Sequence, residues 1–129
     1  EEAAGSQHPE VARVMAVQGR VADAQGNPGA ARERLRDALA RLEGTVGPQH
    51  PLAAAVHEDL ARSHARAGER EEAVREQQAA YDGLQASLGE HPRVAEALFA
   101  LGSLRAAAGS AGAAVGEMSA VIETYLSQR

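Results

Sequence analysis

The sequence predicts an all-α chain of three antiparallel helical hairpins stacked in a row. Three observations carry this. The dipeptide His-Pro occurs as His8-Pro9, His50-Pro51 and His91-Pro92, at intervals of 42 and 41 residues. Eighteen residues after each histidine stands a glycine: Gly26, Gly68 and Gly109. No stretch shows the sustained alternation of a strand. A fixed period of this length marks a repeat architecture, in which one unit cannot bury its apolar face alone and neighbours must stack. The repeats run 8–49, 50–90 and 91–129, behind a lead of residues 1–7.

Each element follows from its residues. Pro9, Pro51 and Pro92 suit the first turn of a helix, where the missing N–H is not needed. The first helix is predicted over 9–25, ending at Gly26, and Gly26-Asn27-Pro28-Gly29 is a strong turn. The second, over 29–45, carries Ala31, Leu35, Ala38, Leu39 and Leu42 on one face. The third spans 51–67 and stops at Gly68. The fourth, 70–87, opens Arg70-Glu71-Glu72, placing acid at the positive end of the helix dipole. The fifth spans 92–108 and stops at Gly109. The sixth, 111–127, carries Ala114, Met118, Val121, Ile122 and Tyr125 on nearly the same spacing as the second. Gly19, Ala61 and Gly102 share one repeat position in the first helices, and Ala31, Ala73 and Ala114 share one in the second. Small residues at both places let paired backbones approach closely.

Composition narrows the function classes. At 129 residues the chain is the size of one domain, and 44% hydrophobic content supplies a core. Alanine provides 30 residues and the aromatics only three. A large aromatic-lined pocket and base-stacking recognition of nucleic acid are therefore not expected. A net charge of -5 also argues against a nucleic-acid or anionic-membrane surface. With no cysteine there is no thiolate zinc site, disulfide or cysteine nucleophile, and a cytoplasmic setting is expected. No apolar run approaches the roughly 20 residues that span a bilayer. All thirteen basic residues are arginine. Together with the abundant Ala and Gly, this points to a GC-rich, bacterial coding sequence.

The period, the His-Pro start, the central glycine and the alanine five residues after it (Ala31, Ala73, Ala114) resemble tetratricopeptide (TPR) repeats of the long, kinesin-light-chain type. The likeness covers residues 8 to 126 and is poorest in the first unit, where Gln18 and Ala22 replace large apolar residues. It implies a right-handed superhelical solenoid whose first helices line a concave groove for a peptide or another protein. That family often carries paired asparagines in mid-helix. Here those places hold Ala16-Val17, Glu58-Asp59 and Phe99-Ala100, so its cargo specificity does not carry over. On the family's groove positions stand Arg13, Ala16, Arg20 and Asp23, then Ala55, Glu58, Arg62 and Arg66, then Glu96, Phe99 and Ser103. This concentration of arginine suits carboxylate capture, and a partner with acidic character is expected, bound less tightly as salt rises.

No catalytic constellation is found: there is no phosphate-binding Gly-Lys-Ser/Thr loop, no Gly-x-Ser-x-Gly elbow and no His-Glu-x-x-His helix. No enzyme activity, cofactor or metal is therefore expected. His8, His50 and His91 read as repeated helix-entry residues. His57 and His64 lie two turns apart, roughly 10 Å along a helix axis, too far to share an ion. They read as partly buried packing side chains, with a pH-sensitive spot as the lesser reading.

The ends carry a further expectation. Gly5-Ser6-Gln7-His8-Pro9 matches Gly47-Pro48-Gln49-His50-Pro51, a lead that joins one hairpin to the next. The last helix carries apolar residues on more than one face. Val115, Met118, Ile122, Tyr125 and Leu126 are therefore expected to meet a second copy, a further segment or a partner. The leading functional reading is a protein-binding scaffold with no nucleic-acid or membrane partner. The alternative is a spacer or self-association region of a larger regulatory protein.

Overall fold

The computed structural model describes residues 9–109 and 111–128, with the side chains of all but 111–118. Six helices follow in order: α1 Pro9–Ala24, α2 Pro28–Thr45, α3 Pro51–Arg66, α4 Arg70–Leu88, α5 Pro92–Ala108 and α6 Ala111–Ser127. Among the described residues there is no strand. Each helix packs on the next, and α1 also touches α3. The arrangement is three consecutive hairpins, α1–α2, α3–α4 and α5–α6, each stacked on its neighbour. The lead 1–7, His8, and the side chains of Ala114, Val115 and Met118 lie outside the described residues.

The histidine of each described His-Pro pair has a definite task. His50 and His91 are N-caps in extended backbone. The Nδ1 of His50 accepts the N–H of Leu52 at 3.0 Å, and that of His91 accepts the N–H of Arg93 at 3.0 Å. Capping by the side chain and proline at the next position together fix where the helix begins.

Gly26 and Gly68 end α1 and α3 in the same way. Both take positive φ, 81° and 80°. The next residue's N–H then reaches back to a carbonyl five residues earlier, Asn27 to Ala22 and Glu69 to His64, each at 2.9 Å. This is the left-handed glycine stop that satisfies otherwise orphaned helix carbonyls. The third hairpin departs from its predecessors: Gly109 has extended backbone, φ −113°, and α5 ends there without the left-handed turn.

The core is built across hairpin boundaries. One cluster joins Ala12 and Met15 of α1, Leu35 and Leu42 of α2, and Ala53, Val56 and Leu60 of α3. A second joins Ala80 and Leu84 of α4 to Val94 and Ala97 of α5. Each buried leucine contributes roughly 1.5–3 kcal/mol, so stacking is where much of the stability resides. Gly19 sits at the tightest approach. A Cβ there would lie 2.8 Å from Leu35 Cγ and 3.1 Å from the Ala31 carbonyl oxygen. At the same position in the second hairpin, Ala61 fits opposite Gln77 instead of a branched leucine.

Candidate functional site

The face formed by α1, α3 and α5 carries a row of hollows. The first, of about 230 Å³, lies between α1 and α3 and is lined by Arg13, Ala16, Val17 and Arg20 facing Ala55, Val56 and Asp59. The second, of about 470 Å³, is lined by Glu58, Arg62, Ala65 and Gln77 facing Ala100, Ser103 and Leu104. The third, of about 340 Å³, is apolar except for Glu96, and is lined by Ala95, Phe99, Ile122 and Tyr125. Seven of the eight groove residues singled out from the sequence, Arg13, Arg20, Glu58, Arg62, Glu96, Phe99 and Ser103, therefore line a hollow on this face. Arg66 lies further along α3 and reaches back to the first hairpin.

The arginines are matched by acids. Asp59 is buried and accepts from Arg20 at 2.9 Å and from Arg62 at 2.8 Å, one on each carboxylate oxygen. Arg66 donates to Asp23 at 2.7 Å. Arg93 at the start of α5 donates to Glu58 at 3.0 Å. Arg13 and Glu10 are a loose, exposed pair at 3.7 Å. Three of these bonds cross from one hairpin to the next, so the charges hold the stack as well as lining it. Sequence reading passed over Asp59 and Arg93. The available signal was an acid at Asp59 where the first and third hairpins have Val17 and Ala100.

A second polar group lies on the α2–α3–α4 side. His57 Nδ1 is 2.7 Å from Glu76, and His64 Nδ1 is 2.8 Å from Glu69. The two pairs are seven residues apart on each helix, as antiparallel register about the Gly68 turn requires. His64 Nε2 lies 3.2 Å from Arg36 Nη2. A guanidinium only donates, so Nε2 accepts, and Nδ1 carries the hydrogen given to Glu69. Arg32 adds a second cation to Glu69 at 2.9 Å. The hydrogen bond from His64, aided by Arg32, holds the Glu69 carboxyl below the usual glutamate value. For Glu76, burial opposes ionisation, but the hydrogen bond and charge of His57 outweigh it and hold that carboxyl low as well. His64 is buried and His57 partly buried, packing side chains as the sequence suggested, and each is also bonded to a carboxylate, His57 to Glu76 of α4 and His64 to Glu69 at the N-cap of α4.

Among the described residues no group of three His, Cys, Asp or Glu is placed to hold a metal ion. No described helix is long and apolar enough to cross a membrane.

No protein-family model matches the sequence, and no curated protein does. Solved structures do match. The crystal structure of BtubC (BKLC) from P. vanneervenii matches with a TM-score of 0.78 at 21% identity, over 94% of this chain and 47% of that one. Two crystal structures of nearly identical kinesin-light-chain TPR-like repeats from Podosopora anserina match with TM-scores of 0.74 and 0.73. Both are 26% identical over 90% of this chain, which covers 55% and 56% of theirs. The chain has the fold of kinesin-light-chain-type TPR-like repeats. It spans about half the length of the structures it matches. TPR-like repeats are generally protein-interaction scaffolds and typically non-catalytic.

Proposed function

We propose that this TPR-like chain is a protein-interaction module whose α1–α3–α5 face is the concave groove of the repeat and receives an extended peptide or protein segment. The observation that carries the reading is the row of hollows, one at each of the two hairpin junctions and a third between α5 and α6. A segment lying across α1, α3 and α5 meets two hollows of mixed lining in succession. Arg20, Arg62 and Arg66 are half exposed and each donates to an internal acid through Nη1. A guanidinium has five N–H donors, so each can take a further carboxylate. This supports a partner with acidic side chains, although the balancing Asp23, Glu58 and Asp59 favour a mixed segment over a purely acidic one. The absence of cysteine from the chain fits a cytoplasmic setting.

Selection of peptides from a displayed random library on the 129-residue chain tests the reading. Ser103 is exposed at the edge of the second hollow, and Ser103→Trp fills that hollow without touching the core. Selected peptides should lose at least tenfold in affinity on Ser103→Trp or Arg62→Glu, with helical circular dichroism unchanged. Peptides that bind both variants as tightly as the parent would place recognition on another face and end the groove reading.

A further inference from the structure

We infer that the chain stacks head to tail with a second copy of itself, α1 of one copy docking on the α5–α6 end of the next. The repeat register identifies the two surfaces. Val14, Val17 and Val21 of α1 are about half exposed. They form one stripe at the repeat positions of Val56, Asp59 and Ser63 of α3, all of which are buried. This is the face by which a first helix joins the hairpin before it. At the other end, Tyr125 is 44% exposed, while Leu42 and Leu84 at its repeat position are 1% and 0% exposed. Ile122 likewise stands at the position of Leu39 and Tyr81, which pack against apolar clusters that each hairpin shares with the next. The apolar hollow of Ala95, Glu96, Phe99, Ile122 and Tyr125 is thus the open counterpart of the wall of Ala12, Arg13, Ala16, Leu39 and Leu42. That wall is closed by Leu52, Val56 and the rest of α3.

The occupant is argued from the chain itself, because it carries the matching face. Placed in the same register, α1 of a second copy brings Val14 and Val17 to the hollow where α3 brings Val56 and Asp59. The charges agree. Arg13 and Ala55 line opposite sides of the hollow between the first two hairpins. Between copies the same positions hold Glu96 and Arg13, an opposite pair. The Arg20–Asp59 bond becomes Ser103 beside Val17, and the Arg36–His64 contact becomes Ser119 beside Ala22, so neither place leaves a lone charge against the apolar wall. Leu126 shares its position with the exposed Glu43 and Gln85, so it lies outside this seam. The contact joins different surfaces and continues the repeat rotation, so it does not close on itself.

Sedimentation and light scattering of the full chain over a concentration series test this. The weight-average mass should climb with concentration past twice that of the monomer. Val17→Asp blocks the head and Tyr125→Asp blocks the tail, and both sites are exposed. Each variant alone should be monomeric. Mixed in equal amounts they should form a one-to-one pair and nothing larger, since each retains the surface the other lacks. If either variant loses its helical dichroism, Val21→Asp or Ile122→Asp interrupts the same face. A chain that stays monomeric at all concentrations, a dimer that stops at two, or association indifferent to these substitutions would overturn the inference. Peptide binding in the groove is read separately, through Arg62 of the middle hairpin, and stands or falls on its own.

Discussion

Asp59 takes a hydrogen bond from Arg20 of the preceding hairpin and one from Arg62 a turn further along its own helix. The Arg62 partner is an ordinary i,i+3 pair, but Arg20 was not legible from the sequence, because it is 39 residues from Asp59 and only the stacking brings them together. Ser63, one turn beyond Asp59 on the same buried face, shows the opposite case. Its hydroxyl is fully buried with no hydrogen-bond partner. A buried polar group left unpaired costs about 1–3 kcal/mol. Ser63→Ala should therefore raise stability by about 1 kcal/mol in urea unfolding, and a loss would mean that the hydroxyl is satisfied. Gly19 is fixed by contact rather than by conformation. Gly19→Ala places a methyl against Leu35 and the Ala31 carbonyl, and overpacking of this kind costs roughly 1–3 kcal/mol. The cost should shrink when measured in a Leu35→Ala background, where the Cγ at 2.8 Å is gone. An equal cost in both backgrounds would assign the strain to the backbone contact alone.

Helix limits were legible because local chemistry sets them: a capping histidine and proline at the start, a left-handed glycine at the end. His50→Ala should cost about 1 kcal/mol and His50→Asn much less, since asparagine also caps. Thermal melts of the two variants check this. The α5–α6 turn broke the pattern because Gly109 adopts extended backbone instead, a difference its repeat position alone does not disclose. The α3–α4 hairpin carries a pH dependence with a definite sign. Glu69 and Glu76 are both held below the ordinary value of 4.5. Their contribution to stability is therefore complete above that value, and it is lost as pH falls through the lower folded values. Glu76→Gln should be less stable than the parent by about 1 kcal/mol near neutral pH. The gap should close in acid, once the pH has fallen below the lowered folded value and the parent's carboxyl is protonated in both folded and unfolded chains. A gap that persisted in acid would mean that the substitution acts through packing.

Across the whole molecule, repeat register shows which residues are equivalent, and equivalence shows which faces are covered. It placed seven of eight groove residues at hollows on one side. It gave no account of their charge state, because Asp23, Glu58 and Asp59 meet arginines of an adjoining hairpin at sequence separations of 35 to 43. Those crossings matter because, among the described residues, the main contacts between hairpins are those between neighbours. In such an array, stability is approximately the sum of intrinsic hairpin terms and junction terms. The first junction is held by the α1–α2–α3 core and by three ion-pair crossings, Arg20–Asp59, Asp23–Arg66 and Arg32–Glu69. Asp59→Ala removes one crossing and leaves Arg20 without its acid, a loss of about 1.5–3 kcal/mol for bonds to a charged group. The weakening falls on that junction and not on the α3–α5 contact. Hydrogen exchange of the variant should therefore show amides of α1 and α2 losing protection ahead of those of α3, α4 and α5, where the parent opens more nearly together. Uniform loss along all five helices would mean that the chain unfolds as one unit and that the Asp59 bonds stabilise it globally instead of coupling its first hairpin to the second.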